Sequence, residues 1–536
     1  MLRRRTVLVG VVGGLAATSL HLEAGHLEAG RLVRTALAAD EPVQGGTLNV
    51  GLHIPLPTLD WQSTVGHPLP HVMGHVYEGL FGLGSDLNAE PELAESAEAS
   101  DGGKTWTFKL RPGVKFHNGE VLTSGDVKAS LERWRTVGPK GSGLGTLTSI
   151  ETPDDLTVVL NFSEPMGRYL LLLLGSDENK AVIMPKAIAE ASTTPGQLTE
   201  VVGTGPYSFV EYKEDQYARL ARFADYVARD DAPNYQTGKK IANLDEIIFW
   251  IVPESTTRVA GLESGEYDVI AEVPDGEATR LAENPDLDAV KNGPGVLLYM
   301  MFNHKNGPTA DLNIRKAIQS LIDPAEIAAV AVSNPEFALT NPSIYAPESA
   351  YNTDAGSDLY TPGDVEKAKE YLAAANYDGE PITIQVIATN SLQNRLAVAI
   401  AEQAKRAGLN LEIVSYDLAT WVANRRDPAK LNIYTSGGYW VDPSLWHAEF
   451  NGTFPSPEVG FISDRTEEIF ARLAAETDFD ARKALGEELQ RAFYEQVAMV
   501  NLGYVYRLVA KQGRVVDPYD NLALGNMTLH GIYLAD

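Results

Sequence analysis

The sequence predicts an α/β protein built as two or three lobes, and three observations carry that expectation. At 536 residues the chain outgrows one compact core, because single cores stop growing near ~250–300 residues. From Gly45 onward, short strand patterns alternate with helical ones. The strands are of two kinds, period-two runs and nearly continuous apolar runs, a mixture expected where helices cover a sheet.

The N-terminal MLRRRTVLVGVVGGLAATSL has a basic start and an apolar stretch from Val7 to Leu20, shorter than the ~20 residues that cross a bilayer. Residues 1–38 read as an export signal, with a small-residue cleavage site at Ala36-Leu37-Ala38. Arg3, Arg4 and Arg5 are similar to a twin-arginine signal, although a Sec signal shares the outline. A direct repeat, HLEAGHLEAG from His21 to Gly30, lengthens this region.

In the body of the chain, GTLNVGL and TWTFKL alternate apolar and polar residues, placing Trp106, Phe108 and Leu110 on one face. DEIIFWIV (Asp245 to Val252) and PITIQVIA (Pro381 to Ala388) are expected to be buried on both faces. Leu170 to Leu174 reads as a buried helix segment. Leu485, Leu489, Ala492, Phe493 and Val497 form one helical stripe behind caps at Asp478 or Asp480. Gly and Pro cluster at 203–206, 293–295 and 307–308, and lobe crossings are expected near the GTGPY motif and around Lys291 to Gly295.

Composition excludes several functions. The formal charge is -28, and no basic run exceeds Arg3 to Arg5, so a surface that tracks nucleic-acid phosphates is not expected. The chain has no cysteine, which removes disulfides, thiolate metal sites, cysteine nucleophiles and a lipidated cysteine anchor. No G-x-S-x-G elbow, H-E-x-x-H helix or phosphate loop is present, so an enzyme is not expected.

The stretch SDGGKTWTFKLRPGVKFHNGEVLTSGDVKASLERW, Ser100 to Trp134, makes local sense as strand, turns at Arg111-Pro112-Gly113 and Asn118-Gly119, and a helix capped by Thr123 or Ser124. It resembles the signature of bacterial solute-binding protein family 5, the peptide, nickel and opine type of ABC-transporter substrate-binding protein. The resemblance continues through VYEGLF (Val76 to Phe81), VGTGPYSFVEY (Val202 to Tyr212) and TTRVAGLESGEYDVI (Thr256 to Ile270). It also covers FNHKNGPTADLNIRKAIQSLIDPAEI (Phe302 to Ile327) and TPGDVEKAKEYLAAANY (Thr361 to Tyr377).

What the resemblance implies is a two-lobed periplasmic binding protein fold of cluster C type, with an extra small domain on the first lobe. The first lobe would take 45–84, 201–293 and 501–536, the accessory domain 85–200, and the second lobe 294–500. The implied function is the periplasmic component of an ABC importer that closes by hinge motion around a small polar solute. A modified peptide, opine or oligosaccharide fits that class. The partners are then that ligand and the permease transmembrane subunits. The protein would be monomeric, soluble in the periplasm and not lipid-anchored, with no cofactor. Alternatives are a nickel or metal-chelate carrier, or a sensor subunit docking on a membrane receptor.

By family position, the cleft would be lined by the loop His53 to Trp61 with Leu59, by Tyr77-Glu78, by Tyr299 to Asn303, and by SGGYWVDPSLW, Ser436 to Trp446. Within the last segment, Gly437 and Gly438 admit close backbone approach, while Tyr439, Trp440 and Trp446 offer flat apolar surface. In peptide-binding relatives an aspartate three residues before the Asp-Pro pair holds the peptide's α-amino group. Here the pair is Asp442-Pro443, and Tyr439 stands at the anchor. An ammonium buried without a charge partner is costly, so a free peptide amine is not expected to be held in that manner. Asp442 and Glu449 are the candidates to replace the charge. Leu418 stands where a tryptophan is common, with Trp421 nearby. His67, His71 and His75 recur every four residues, and His71 with His75 are weak metal candidates on a shared helix face.

Overall fold

The computed structural model describes residues 42–65, 68–359, 363–447, 460–461 and 463–535. The signal-peptide segment 1–38, the HLEAG repeat, His67 and Glu449 lie outside the described residues.

Among the described residues, one 11-stranded sheet passes through two lobes. Its first half runs Tyr207–Lys213, Tyr217–Arg222, Glu246–Ile251, Thr47–Leu52 and Val269–Ile270. Its second half runs Ile433–Gly438, Ile382–Ile387 and Leu411–Tyr416. Two long antiparallel neighbours join the halves, Leu287–Phe302 and Met499–Gln512, and Ala338–Leu339 pairs with the second of them. Thr47–Leu52 lies parallel to Glu246–Ile251, and Ile382–Ile387 parallel to both of its neighbours. Parallel pairs need crossover connections, which the intervening helices supply.

Apolar burial follows the halves. Leu48, Val50, Phe249 and Leu244 share a core with Trp134, Leu170 and the C-terminal Met527 and Leu529. Met300, Ile384, Leu396 and Ile433 pack in a separate core, and Trp440, Trp446, Leu489 and Phe493 in a third. A four-stranded antiparallel sheet, in the order Ala94–Ser100, Thr105–Leu110, Thr157–Phe162, Leu147–Asp154, belongs to the first of these cores, together with helix Ser124–Val137. Trp106, Phe108 and Leu110 point inward from it. The helix starts where expected: the Asp126 carboxylate accepts the backbone N–H and the hydroxyl of Thr123, at 2.8 and 2.7 Å. Leu170 to Leu174 are buried in helix Tyr169–Gly175. Helix Phe479–Gln496 is capped by Asp478, whose Oδ1 accepts from Ala481, while Asp480 falls inside the first turn.

Two expectations are corrected. Strand Ile382–Ile387 is buried on both faces at Ile384, Gln385 and Val386, under helices Ser391–Ala407 and Leu418–Asn424. Strand Glu246–Ile251 instead alternates, with Ile247, Phe249 and Ile251 buried but Ile248 and Trp250 only half-buried. Its outer face carries a polar-aromatic pair, Trp250 Nε1 donating to Asn49 Oδ1 at 3.0 Å, beside the Tyr217 ring. The GTGPY motif is no crossing either. A Cβ at Gly203 would lie 2.0 Å from the Val76 carbonyl oxygen, and one at Gly205 2.4 Å from that of His75. Its glycines permit backbone to press on backbone within the first lobe. Strand Met499–Gln512 pairs antiparallel with Leu287–Phe302 from Met301 back to Leu287. Among the described residues no helix is long and apolar enough to cross a membrane.

Candidate functional site: the cleft between the lobes

A cavity of about 840 Å³ opens where the two halves of the sheet meet. The second lobe contributes the end of strand Ile433–Gly438, its continuation to Trp440, and helix Leu418–Asn424. The connecting strands contribute Tyr299 and Arg507, and the first lobe supplies Pro70, Asp177, Glu178 and Asn526.

The aromatic wall is built from the backbone outward. Gly437 and Gly438 pair with Leu298 and Leu297 of the long strand. A Cβ on Gly438 would sit 2.9 Å from the Trp440 ring, so glycine there lets Trp440 fold back on its own strand. Trp440 then stacks on Trp446 with ring centroids 4.0 Å apart and planes 10° from parallel, and it meets Tyr299 edge-on at 5.2 Å. Trp446 is the supporting layer, fully buried and edge-on to Phe493. On the neighbouring helix the Arg425 guanidinium lies 4.1 Å from the Trp421 ring.

Charge sits on both sides. Tyr439 and Glu178 line the cavity from opposite lobes, and burial raises the phenol's pKa, with the Glu178 charge adding to the rise. Glu178 is itself paired with Lys140 at 2.6 Å. Asp177 is 8% exposed, and its Oδ2 accepts from Gln236 Nε2 and from Asn526 Nδ2, the latter at 2.5 Å. Burial lifts the Asp177 pKa, which the positive charge of Lys180 opposes.

Tyr299, Trp421, Gly437, Gly438, Tyr439 and Trp440 are thus brought together on one cavity. The other residues picked out in the sequence lie elsewhere. Leu59 packs against the first core and Tyr77 is buried there. Asn303 staples a turn: its side chain donates to the carbonyls of Pro428 and Leu431 and accepts from the N–H groups of Lys305 and Asn306. Trp446 stands behind Trp440. Asp442 does not supply the missing cleft carboxylate, because Arg482 holds both its oxygens at 2.6 and 2.9 Å. Glu78 is likewise engaged, by Lys240 at 3.1 Å.

His71 and His75 do not form a metal pair. Their helix, Pro68–Met73, ends before His75. His71 Nδ1 accepts the N–H of Met527 at 3.0 Å and His75 Nε2 that of Leu529 at 2.9 Å, while His75 Nδ1 faces the Val72 carbonyl at 3.4 Å. The lone pairs that would bind a metal hold the C-terminal tail instead. Burial holds the His75 pKa down at about 4. Among the described residues no three His, Cys, Asp or Glu side chains are grouped to hold a metal.

Asp177, Glu178, Arg425, Arg507 and Asn526 line the cavity without having been picked out in the sequence. The one local signal was the charged Asp177-Glu178 pair placed directly after the buried leucine run.

A model of the family described as bacterial extracellular solute-binding proteins, family 5 Middle, matches residues 88–457. The chain is 27% identical over 492 residues to y4tO of Sinorhizobium fredii, described as a probable peptide ABC transporter periplasmic-binding protein, covering 88% of this chain and 90% of that one. Among solved structures it is similar to the PBP AgaA of A. tumefaciens R10 in complex with agropinic acid, with TM-score 0.68, 26% identity, and coverage of 92% and 99%. The ABC transporter substrate-binding protein CtaP of Listeria monocytogenes shares the fold, with TM-score 0.78 at 21% identity over 92% of this chain and 100% of that one.

Proposed function

The chain belongs to the bacterial extracellular solute-binding proteins of family 5, and from that premise we propose that it is the periplasmic binding component of an ABC importer for a small polar solute. It closes by hinge motion on its ligand and delivers it to the permease. Its role is transport and not catalysis. The protein works as a soluble monomer in the periplasm, and a chain without cysteine offers no thiol for a lipid anchor.

One observation carries this reading: the cavity of about 840 Å³ lies between the lobes, with a flat aromatic wall on one side and charged groups on both. Ligand sites commonly span ~300–1,000 Å³, apolar in the main with a few placed polar groups. The ligand named for AgaA is agropinic acid, and y4tO is described as a probable peptide ABC transporter periplasmic-binding protein. With Tyr439 facing Glu178 where peptide-binding relatives keep an aspartate, a modified peptide or an opine-like conjugate fits better than a linear peptide held by that loop.

Native mass spectrometry of the purified protein, followed by a thermal-shift panel of opines, sugars and peptides, tests the reading. A true ligand at ~100 times its dissociation constant adds about 2.7 kcal/mol of stability. Trp440→Ala is expected to weaken that ligand at least ~10-fold while the protein stays folded. Unchanged affinity in the variant would remove the aromatic wall from the site.

A further inference from the structure

Asp177 is a nearly buried carboxylate where three cavities meet. It lines the interlobe cavity and an adjoining one bounded by Tyr169 and Tyr235, and it backs onto a smaller polar one shared with Lys180, Lys240 and His530. Gln236 and Asn526 hold its Oδ2 and so fix its orientation. Among the described residues no cation lies within ion-pair distance of it. Lys180 is engaged by Glu92 at 2.9 Å, and Lys240 by Glu92 and Glu78 at 2.5 and 3.1 Å. Its neighbour Glu178 differs, being half exposed and already neutralised by Lys140. A desolvated carboxylate is costly until a cation meets it, and the open side of Asp177 is the cleft.

We propose that Asp177 receives a cationic group of the transported solute, an ammonium or guanidinium, at the first-lobe wall of the cleft. This assignment rests on the solute-binding reading above. It places cation recognition on the turn after helix Tyr169–Gly175 and away from the second-lobe loop, where Tyr439 replaces the expected aspartate. The solute's apolar body then lies against Trp440 and Tyr299. Arg507, 3.6 Å from Glu272, and Arg425, over the Trp421 ring, give the same cavity the opposite sign as well, and the proposed solute class is a zwitterion: an amino acid conjugate carrying a carboxylate and a cation.

Calorimetric titration of the full-length mature protein with matched probes that keep or lose the cation tests this. The pairs are N-acetyl-L-arginine and N-acetyl-L-citrulline, glycyl-L-alanine and its N-acetyl form, and an N-(1-deoxyfructosyl) amino acid and its N-acetyl form. The expected result is that a cation-bearing member binds at least ~10-fold tighter than its cation-free partner, and that Asp177→Asn removes that preference. The Asn variant keeps the acceptor for Gln236 and Asn526, and its unliganded melting temperature serves as the folding control. If Asp177→Asn retains the preference, or the cation-free members bind equally well, the cation assignment is overturned. The cleft reading then still stands provided Trp440→Ala weakens the same probes, and falls with it if that variant binds normally. Binding of no probe, with a co-purified uncharged solute seen by native mass spectrometry, overturns the assignment and keeps the cleft.

Discussion

Arg482 shows how single residues hold the aromatic wall in place without touching the cavity. It is fully buried, pairs with Asp442, and donates to the Leu473 carbonyl at 2.6 Å and to Ser444 at 2.8 Å. It thereby ties the loop after Trp440 to helix Phe479–Gln496. Asp442→Asn leaves the guanidinium buried without its counter-charge and is expected to cost about 3 kcal/mol, read as a lower urea midpoint at unchanged slope. A double substitution of Asp442 and Arg482 by apolar residues of similar volume should cost less than the single one. At this scale the sequence was half legible. The aromatic residues of 436–446 are recognisable from their own segment. Asp177 is not, because its partners Gln236 and Asn526 stand 59 and 349 positions away, and burial without a nearby cation is a property of the folded chain. Asp442 and Asn303 are polar residues in the right segments whose bonding is used up by partners 40 and 125 positions away, which a one-dimensional reading cannot separate from ligand contact.

Among elements, the C-terminal tail is one whose attachment depends on protonation. Met527 and Leu529 donate to His71 and His75, and His75 must be neutral to accept. Its pKa of about 4 lies below the unfolded value of 6.5, so this contribution is complete above pH 6.5 and is lost as pH falls from there toward 4. Over that interval the loss is about 3 kcal/mol, and by pH 5 about 2 kcal/mol. His75→Gln should flatten the slope of stability against pH between 7 and 5 by that amount, measured by urea denaturation at each pH; an unchanged slope would mean the tail is held by packing alone. Strand TWTFKL was readable because one face meets a core and the other meets water. DEIIFWIV was misread because Trp250 is apolar in composition yet sits on the outer face, with its indole N–H bonded to Asn49.

For the molecule as a whole, the two lobes and the α/β class were legible from length, alternation and the family signature, whereas the path between the lobes was not. Glycine clusters mark both turns and close approaches, and only the fold distinguishes Gly203 and Gly205 from Gly293 and Gly295. Small-angle scattering is expected to give a smaller radius of gyration when a binding probe is added. Trp440→Ala at the same probe concentration should show less compaction.

The strands that connect the lobes are hydrogen-bonded neighbours, paired from Leu287 with Gln512 to Met301 with Met499 and irregular between Asn292 and Val296 and between Leu297 and Tyr299. Sliding one past the other would break the Val296–Val505 and Tyr299–Asn501 pairings together, whereas flexing both at the irregular stretches would keep them. A paired ribbon of this kind resists sideways offset and bends like a leaf spring, so a closure of the proposed kind would carry Tyr439 toward the first-lobe wall along one path.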